Sequence, residues 1–257
     1  MRRVLPALAA AFAFATALAP GAAARAPERW IPYADDARAY ALGRAGLVAF
    51  ALRSEGRFDG LLADATFPSA SVVKAMLLVA YLRRPAVRER PLTSAERGLL
   101  GPMVRWSSNT AASSVRTAVG DGALVGLARR AGMTRFAPAP SWGSSRITAR
   151  DQTGFFLRID RLVPPRHRAY AMGLLRRVVT HQRWGLARAV PRGWTIYFKG
   201  GWGSGSGAVE HQVALLRRGR ERVAIAVLTL GNPDAAYGRA TEEGIARRLL
   251  RGLDAGA

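Results

Sequence analysis

The sequence predicts an α+β fold: an antiparallel sheet assembled from both chain termini, flanked by helices, with a central all-helical subdomain. Two observations predict it. Strand-like runs rich in β-branched and apolar residues stand near 47–62 and 195–230, and the stretch between them carries helix caps and helical spacing. No internal repeat divides the 257 residues, so a single domain is expected over 25–257. Its α/β part covers about 27–66 and 195–257, and its helical part about 67–194.

The elements follow in order. Tyr33 to Arg44 reads as a helix. Leu47 to Arg53 and Phe58 to Leu62 read as two strands, joined by the turn chemistry of Ser54-Glu55-Gly56-Arg57. Phe67-Pro68-Ser69 breaks the chain before an apolar helix that runs to about Arg84 and is stopped by Pro85. Residues 93–132 read as helices, opened by a Thr93 to Glu96 capping box. Residues 133–147 read as loop, and Thr148 to Asp151 reads as a second capping box, with Asp151 as its capping carboxylate and a helix to Leu162. A helix over His167 to Val179 follows. Strands are predicted at Thr195 to Lys199, Val209 to Leu216 and Val223 to Leu230, then a helix at Arg239 to Leu253.

Composition narrows the function. Residues 1–24 have the form of a cleaved secretory signal: Arg2 and Arg3, an uncharged run from Val4 to Ala19, and small residues at Ala22 to Ala24. A secreted or wall-associated location is therefore expected. The chain has no cysteine, which excludes a disulfide scaffold and thiolate metal sites. Its three histidines form no HExxH pair, so a zinc hydrolase is not expected, nor is any metal or organic cofactor. The net charge of +22 implies adhesion to anionic cell-wall polymers. The arginines are spread along the chain without a basic tail or a nucleic-acid-binding signature, so specific nucleic-acid binding is not expected, and a monomer is.

Of 39 basic residues only Lys74 and Lys199 are lysines. Arginine keeps its proton at any working pH, whereas a buried lysine can lose it and act as a base. Both lysines lie in stretches able to carry chemistry. In Ser71-Val72-Val73-Lys74 the helical i, i+3 spacing puts a hydroxyl and an amine on one face, within an apolar helix. Read alone, Lys74 could equally be a core lysine whose long stem reaches solvent. The second stretch, Trp106-Ser107-Ser108-Asn109, puts a hydroxyl and an amide two residues apart, a pattern that also suits a polar helix cap. In the third, Lys199-Gly200-Gly201-Trp202, a lysine ends a strand where glycines begin, either to admit a substrate backbone or to form a flexible turn. No P-loop and no G-x-S-x-G elbow is present.

In this order, S-x-x-K, S-x-N and K-x-G, the motifs resemble those of the penicillin-recognising serine enzymes, above all class A β-lactamases and the D-Ala-D-Ala peptidases related to them. "SVVKAMLLVAYL", "MVRWSSNTAA" and "FKGGW" carry the resemblance, which spans almost all of 25–257. It implies a β-lactamase/transpeptidase-like fold and a β-lactam or peptidoglycan stem-peptide substrate. It also implies roles. Ser71 is the acylated nucleophile and Lys74 its base or proton relay. Ser107 passes a proton to the leaving nitrogen. Asn109 binds the substrate side-chain amide. Lys199 attracts a substrate carboxylate and depresses Lys74. Gly200, Gly201 and Trp202 form the substrate-binding strand, and the N–H groups of Ser71 and Trp202 form the oxyanion hole.

The chain departs from the family at three points. No carboxylate stands between Asp121 and Asp151, where class A enzymes carry their deacylating glutamate, so slow deacylation is expected. Gly200 replaces a Thr or Ser, and Ser108 replaces an Asp. The alternatives are a D-Ala-D-Ala-type peptidase or esterase, and a wall-binding protein that has lost catalysis.

Overall fold

A computed structural model of the chain describes residues 30–204 and 208–253. The predicted signal segment lies outside the described residues. The elements in order are α1 (Ala34–Leu42), β1 (Leu47–Ser54), β2 (Arg57–Leu61), β3 (Phe67–Pro68), α2 (Val73–Leu82), α3 (Pro85–Arg88), α4 (Ser94–Arg105), α5 (Asn109–Arg130), β4 (Arg146–Ile147), α6 (Ala149–Leu157), α7 (Ile159–Leu162), α8 (Arg168–Arg176), α9 (Leu186–Ala189), β5 (Thr195–Gly203), β6 (Val209–Arg218), β7 (Glu221–Leu230) and α10 (Ala235–Leu249).

The five-stranded sheet has the order β2-β1-β7-β6-β5 and is antiparallel throughout. The chain ends therefore meet in one sheet, β1 pairing with β7 from Leu47↔Leu230 to Ser54↔Val223. Alternation along the strands sorts side chains by face. Phe50, Leu52, Phe198, Ile225 and Val227 pack under α10 and α1, which lie against each other on one face. Ala49, Ala51, Ala224 and Ala226 meet the helical part on the other. Small residues there let α6 press its Phe155 and Phe156, both fully buried, onto the sheet. Burying such a side chain is worth about 1.5–3 kcal/mol. At the centre of the helical part, all ten residues of α2 are buried.

Four expectations need correction. The glycines after Lys199 do not end a strand: β5 continues through Gly203, which places Lys199 in mid-strand. The last helix starts at Ala235, four residues early, because the Asp234 side chain caps it by accepting from the Tyr237 amide. The helix predicted to Leu162 breaks at Arg158 into α6 and α7. The box predicted at Thr148 is half formed: Thr148 Oγ1 accepts from the Asp151 amide, but the Asp151 carboxylate turns away to accept from the amides of Thr134 and Arg135. At the other predicted box, Thr93 and Glu96 bond reciprocally.

Candidate active site

Three segments converge at the edge of β5. The first is the turn before α2. A 3-10 turn at Ala70–Val72 feeds the helix, and Ala70 takes a left-handed backbone (φ 42°) that an L-residue with a side chain adopts only at a cost of about 1–2 kcal/mol. The turn is tied from outside. Ser69 N donates to Ser145 O (2.7 Å), and Ser69 Oγ lies 3.2 Å from the Trp142 carbonyl and 3.3 Å from that of Gly143. His211 on β6 accepts from the Thr229 amide through Nδ1 and so donates through Nε2 to Pro68 O (2.9 Å). Burial lowers that imidazole to about 4, which keeps it neutral.

The second segment joins α4 to α5. Ser107 also has a left-handed backbone (φ 59°). Ser108, standing where the family carries Asp, is the N-cap of α5, its Oγ accepting from Ala111 N. Asn109 begins that helix. The third is β5, the edge strand of the sheet. Gly201 is required there: a Cβ would fall 2.7 Å from Ser71 N and 2.9 Å from Val72 N. The glycine expected to admit a substrate thus also admits the protein's own nucleophile turn. Successive residues of an edge strand turn their backbone groups alternately to the partner and outward. The Gly200 carbonyl accepts from Lys199 Nζ (2.7 Å), which assigns Gly200, and Trp202 two residues on, to the outward set facing Ser71.

The two lysines meet at Ser107. Lys74 Nζ donates to Ser107 O (2.5 Å), Ser107 Oγ (3.1 Å) and Asn109 Oδ1 (2.8 Å). Lys199 Nζ donates to the same Ser107 Oγ (3.1 Å). Both lysines are fully buried, and neither has a carboxylate partner among the described residues. Burial pulls the Lys74 ammonium down from 10.5 to about 7. Lys199 is held well below its ordinary value, first by burial and then by the Lys74 charge. Two amines that share one serine repel each other, so each disfavours the other's charge on top of the burial. Each amine also faces an indole, Lys74 at 4.7 Å from the Trp142 ring and Lys199 at 5.6 Å from that of Trp202.

The chemistry follows from this wiring. The Ser107 hydroxyl receives donors from both amines, so its own proton points elsewhere, free to be given away. Asn109 accepts through its oxygen and keeps its NH₂ for a ligand. Ser71, 8% exposed, has no side-chain hydrogen bond among the described residues, so the nucleophile is uncommitted. No group of three or more His, Cys, Asp or Glu side chains gathers to hold a metal among the described residues.

The profile of the beta-lactamase enzyme family matches residues 92–253. The chain belongs to that family. It is a β-lactamase-type serine hydrolase, and the family implies a small-molecule β-lactam substrate. No curated protein matches it. Among solved structures it is similar to the beta-lactamase from Sphaerobacter thermophilus DSM 20745, with 21% identity and a TM-score of 0.72 over 85% of this chain and 97% of that one. It is also similar to a beta-lactamase from Desulfarculus baarsii DSM 2075, with 23% identity and a TM-score of 0.72 over 86% and 97%. The ancestral class A beta-lactamase GNCA gives 20% identity and 0.72 over 86% and 99%. These likenesses establish the fold.

Every predicted site residue of this family member lies in the one cluster: Ser71, Lys74, Ser107, Asn109, Lys199, Gly200, Gly201 and Trp202. Sequence reasoning missed Ser69, Trp142 and His211, which fix the nucleophile turn and close over Lys74. Trp142 lay in a stretch read as plain loop, and its clustering with Pro and Gly was the only local signal.

Proposed function

We propose that the protein is a secreted serine hydrolase that forms an acyl-enzyme on Ser71 with β-lactams or related peptidoglycan amides, and releases the acyl group slowly. The observation that carries the reading is the buried Lys74–Ser107–Lys199 cluster, to which no carboxylate among the described residues is attached. As an ammonium Lys74 spends its three donors on Ser107 and Asn109. Near neutral pH it is half deprotonated, and the neutral amine takes the Ser71 proton as Oγ attacks the carbonyl. The oxyanion is held by the Ser71 and Trp202 amides. Ser107 then protonates the departing nitrogen, and Lys74 restores the Ser107 proton. Lys199 and the Asn109 amide hold the substrate's carboxylate and side-chain amide.

Slow deacylation is proposed because no acidic side chain among the described residues hydrogen-bonds Lys74, and Asp151, the first carboxylate after Asp121, is committed to two amides. The same observation favours, as a second reading, a D-Ala-D-Ala-type peptidase or esterase. A wall-binding protein without catalysis is disfavoured, since two buried, uncompensated amines cost stability that binding alone does not require. The basic surface would hold the secreted enzyme on anionic wall polymers.

Intact-mass measurement with penicillin- and cephalosporin-type β-lactams tests this. The expected result is an adduct on Ser71 that persists for many turnovers' worth of time and is absent from Ser71→Ala. Drug consumption without an adduct sinks slow deacylation. Neither adduct nor consumption, with hydrolysis of peptide or ester substrates, establishes the second reading.

A further inference from the structure

We propose that Trp142 is a positioning residue for Lys74: its indole is the wall that keeps the amine dry and directed at Ser107 and Ser71. The inference rests on the reading of Lys74 as the base. Lys74 lies at the cleft, beside an uncommitted Ser71, yet its side chain is fully buried. Helix α2 and Ser107 enclose it from below and from one side. The Trp142 ring, half-buried and 4.7 Å from Nζ, covers it toward solvent.

The ring is held in place from two directions. Its Nε1–H donates to Ser113 Oγ on α5 (3.2 Å), and its backbone carbonyl lies 3.2 Å from Ser69 Oγ in the nucleophile turn. A loop residue tied to both walls of the cleft is built to stay where it is. The groups facing Lys74 are Ser107 and Asn109 from the α4–α5 connection, Lys199 from β5 and Trp142 from the loop. Among them only Lys199 titrates, and no carboxylate among the described residues pairs with the amine.

Two effects of the indole oppose each other. Its π-face favours an ammonium, by about 0.5–2 kcal/mol. Its bulk removes water, which favours the neutral amine. The proposal assigns the larger effect to the exclusion of water, because the amine is fully buried and burial is what lowers Lys74 to about 7. Removing the ring therefore returns water to the amine, raises its titration midpoint and depletes the base at neutral pH.

The chain suits a direct test, because it contains only two lysines. In protein carrying ¹³C-lysine, the side-chain Cε signals of Lys74 and Lys199 are resolved and assigned with Lys74→Met, and titrated by NMR. In Trp142→Ala the Lys74 midpoint should rise by one unit or more from about 7. Acylation at pH 7 should fall about fivefold for a one-unit rise and about fiftyfold for two, and recover at alkaline pH. Trp142→Phe should retain the low midpoint. An unchanged midpoint in folded Trp142→Ala overturns the proposal. Should that variant fail to fold, Ser113→Ala decides: loosening the indole gives a smaller upward shift if the proposal holds, and none if it does not. The titration needs no turnover, so it stands even if no substrate acylates Ser71, an outcome that would instead count against the assigned function.

Discussion

The two faces of the sheet at the β5–β6 end each bury a pair of like charges. On the helical face these are Lys74 and Lys199. On the α10 face they are Glu210 and Glu242, 3% and 0% exposed. Burial moves both pairs toward neutrality: the lysines down, Glu210 up to about 7 and Glu242 well above its ordinary value. The pairs differ in what surrounds them. Every lysine hydrogen bond meets an acceptor, and the two amines share Ser107 Oγ. Among the described residues Gln212 Nε2 and both Glu242 oxygens lack a well-aligned hydrogen bond, and the Trp184 side chain offers Glu242 only a weak one. Arg239, the nearest cation, is 3.6 Å from Glu210 Oε2 and spends its plane on the Trp184 ring, 4.1 Å away. Gly185 has no Cβ because one would strike Glu242 Oε2. Burial alone thus neutralises a group, while hydrogen bonding decides what the neutral group is for. The bonded pair is wired to a serine. The underbonded pair is packed beneath Trp184, which stacks edge-on against Trp202 at 5.1 Å, and so forms the floor under the oxyanion strand.

The largest effect comes from breaking the lysine side of the comparison. Lys74→Arg keeps a cation and hydrogen-bond donors but cannot supply a neutral base. Acylation of Ser71, followed by intact mass against time, should fall about 10³-fold or more, as when one member of a catalytic unit is lost. Unlike Trp142→Ala, it should show no recovery at alkaline pH. Recovery there would mean that Lys74 only positions Ser107.

Much of this cluster was legible in the sequence because its signals are local. Lysine identity, i, i+3 spacing and chain order need no tertiary information, and the residues they singled out do converge. What was not legible is non-local or uses glycine in two ways. β5 runs through Gly200, Gly201 and Gly203, which on propensity alone read as a turn; pairing with β6 from Lys199↔Val213 to Gly203↔Val209 overrides propensity. Gly120 sits unremarked in a helical run, yet its backbone (φ 72°) breaks α5 into two stretches. Asp151 looked like a helix cap because its true partners, two amides in a loop 16 and 17 residues upstream, leave no mark on local spacing. The glutamate pair joins β6 to α10 across more than 30 residues, and Trp142 finds Lys74 across twice that distance.

The second effect lies in stability against pH, where the two pairs have opposite signs. The glutamates hold their proton more tightly folded than unfolded, so stability falls as pH rises from 4.5 to about 7. Lys74 gives up its proton more readily when folded, so stability rises from about 7 to 10.5. The two pairs together place a minimum near neutral pH. A Tm–pH profile should show that dip. Glu242→Gln should lift stability above pH 7 by about 1–3 kcal/mol and flatten the acid limb alone, while Lys74→Met flattens the alkaline limb. A profile that rises monotonically from pH 5 to 8 would mean that the glutamates are solvated or paired in solution.

The smallest effect tests the two adjacent glycines of β5, which face opposite sides of the sheet. Gly201 has no room, with Ser71 N only 2.7 Å from its would-be Cβ. Gly200 has room: a Cβ there would meet His211 O at 3.6 Å, and Gln212 Cγ and Trp202 Cζ3 at 3.7 Å, all ordinary contacts. Gly200→Ser should therefore fold and restore the hydroxyl that relatives carry beside the lysine. One added hydrogen bond to a substrate carboxylate is worth about 1 kcal/mol, or roughly fivefold in the second-order acylation constant. The gain should appear with β-lactams that bear the carboxylate and vanish with neutral esters. An equal gain on both would locate the hydroxyl's effect in the strand, through Gln212 and the acidic pocket behind it, and would tie the two faces of the sheet more closely than their separate hydrogen bonds suggest.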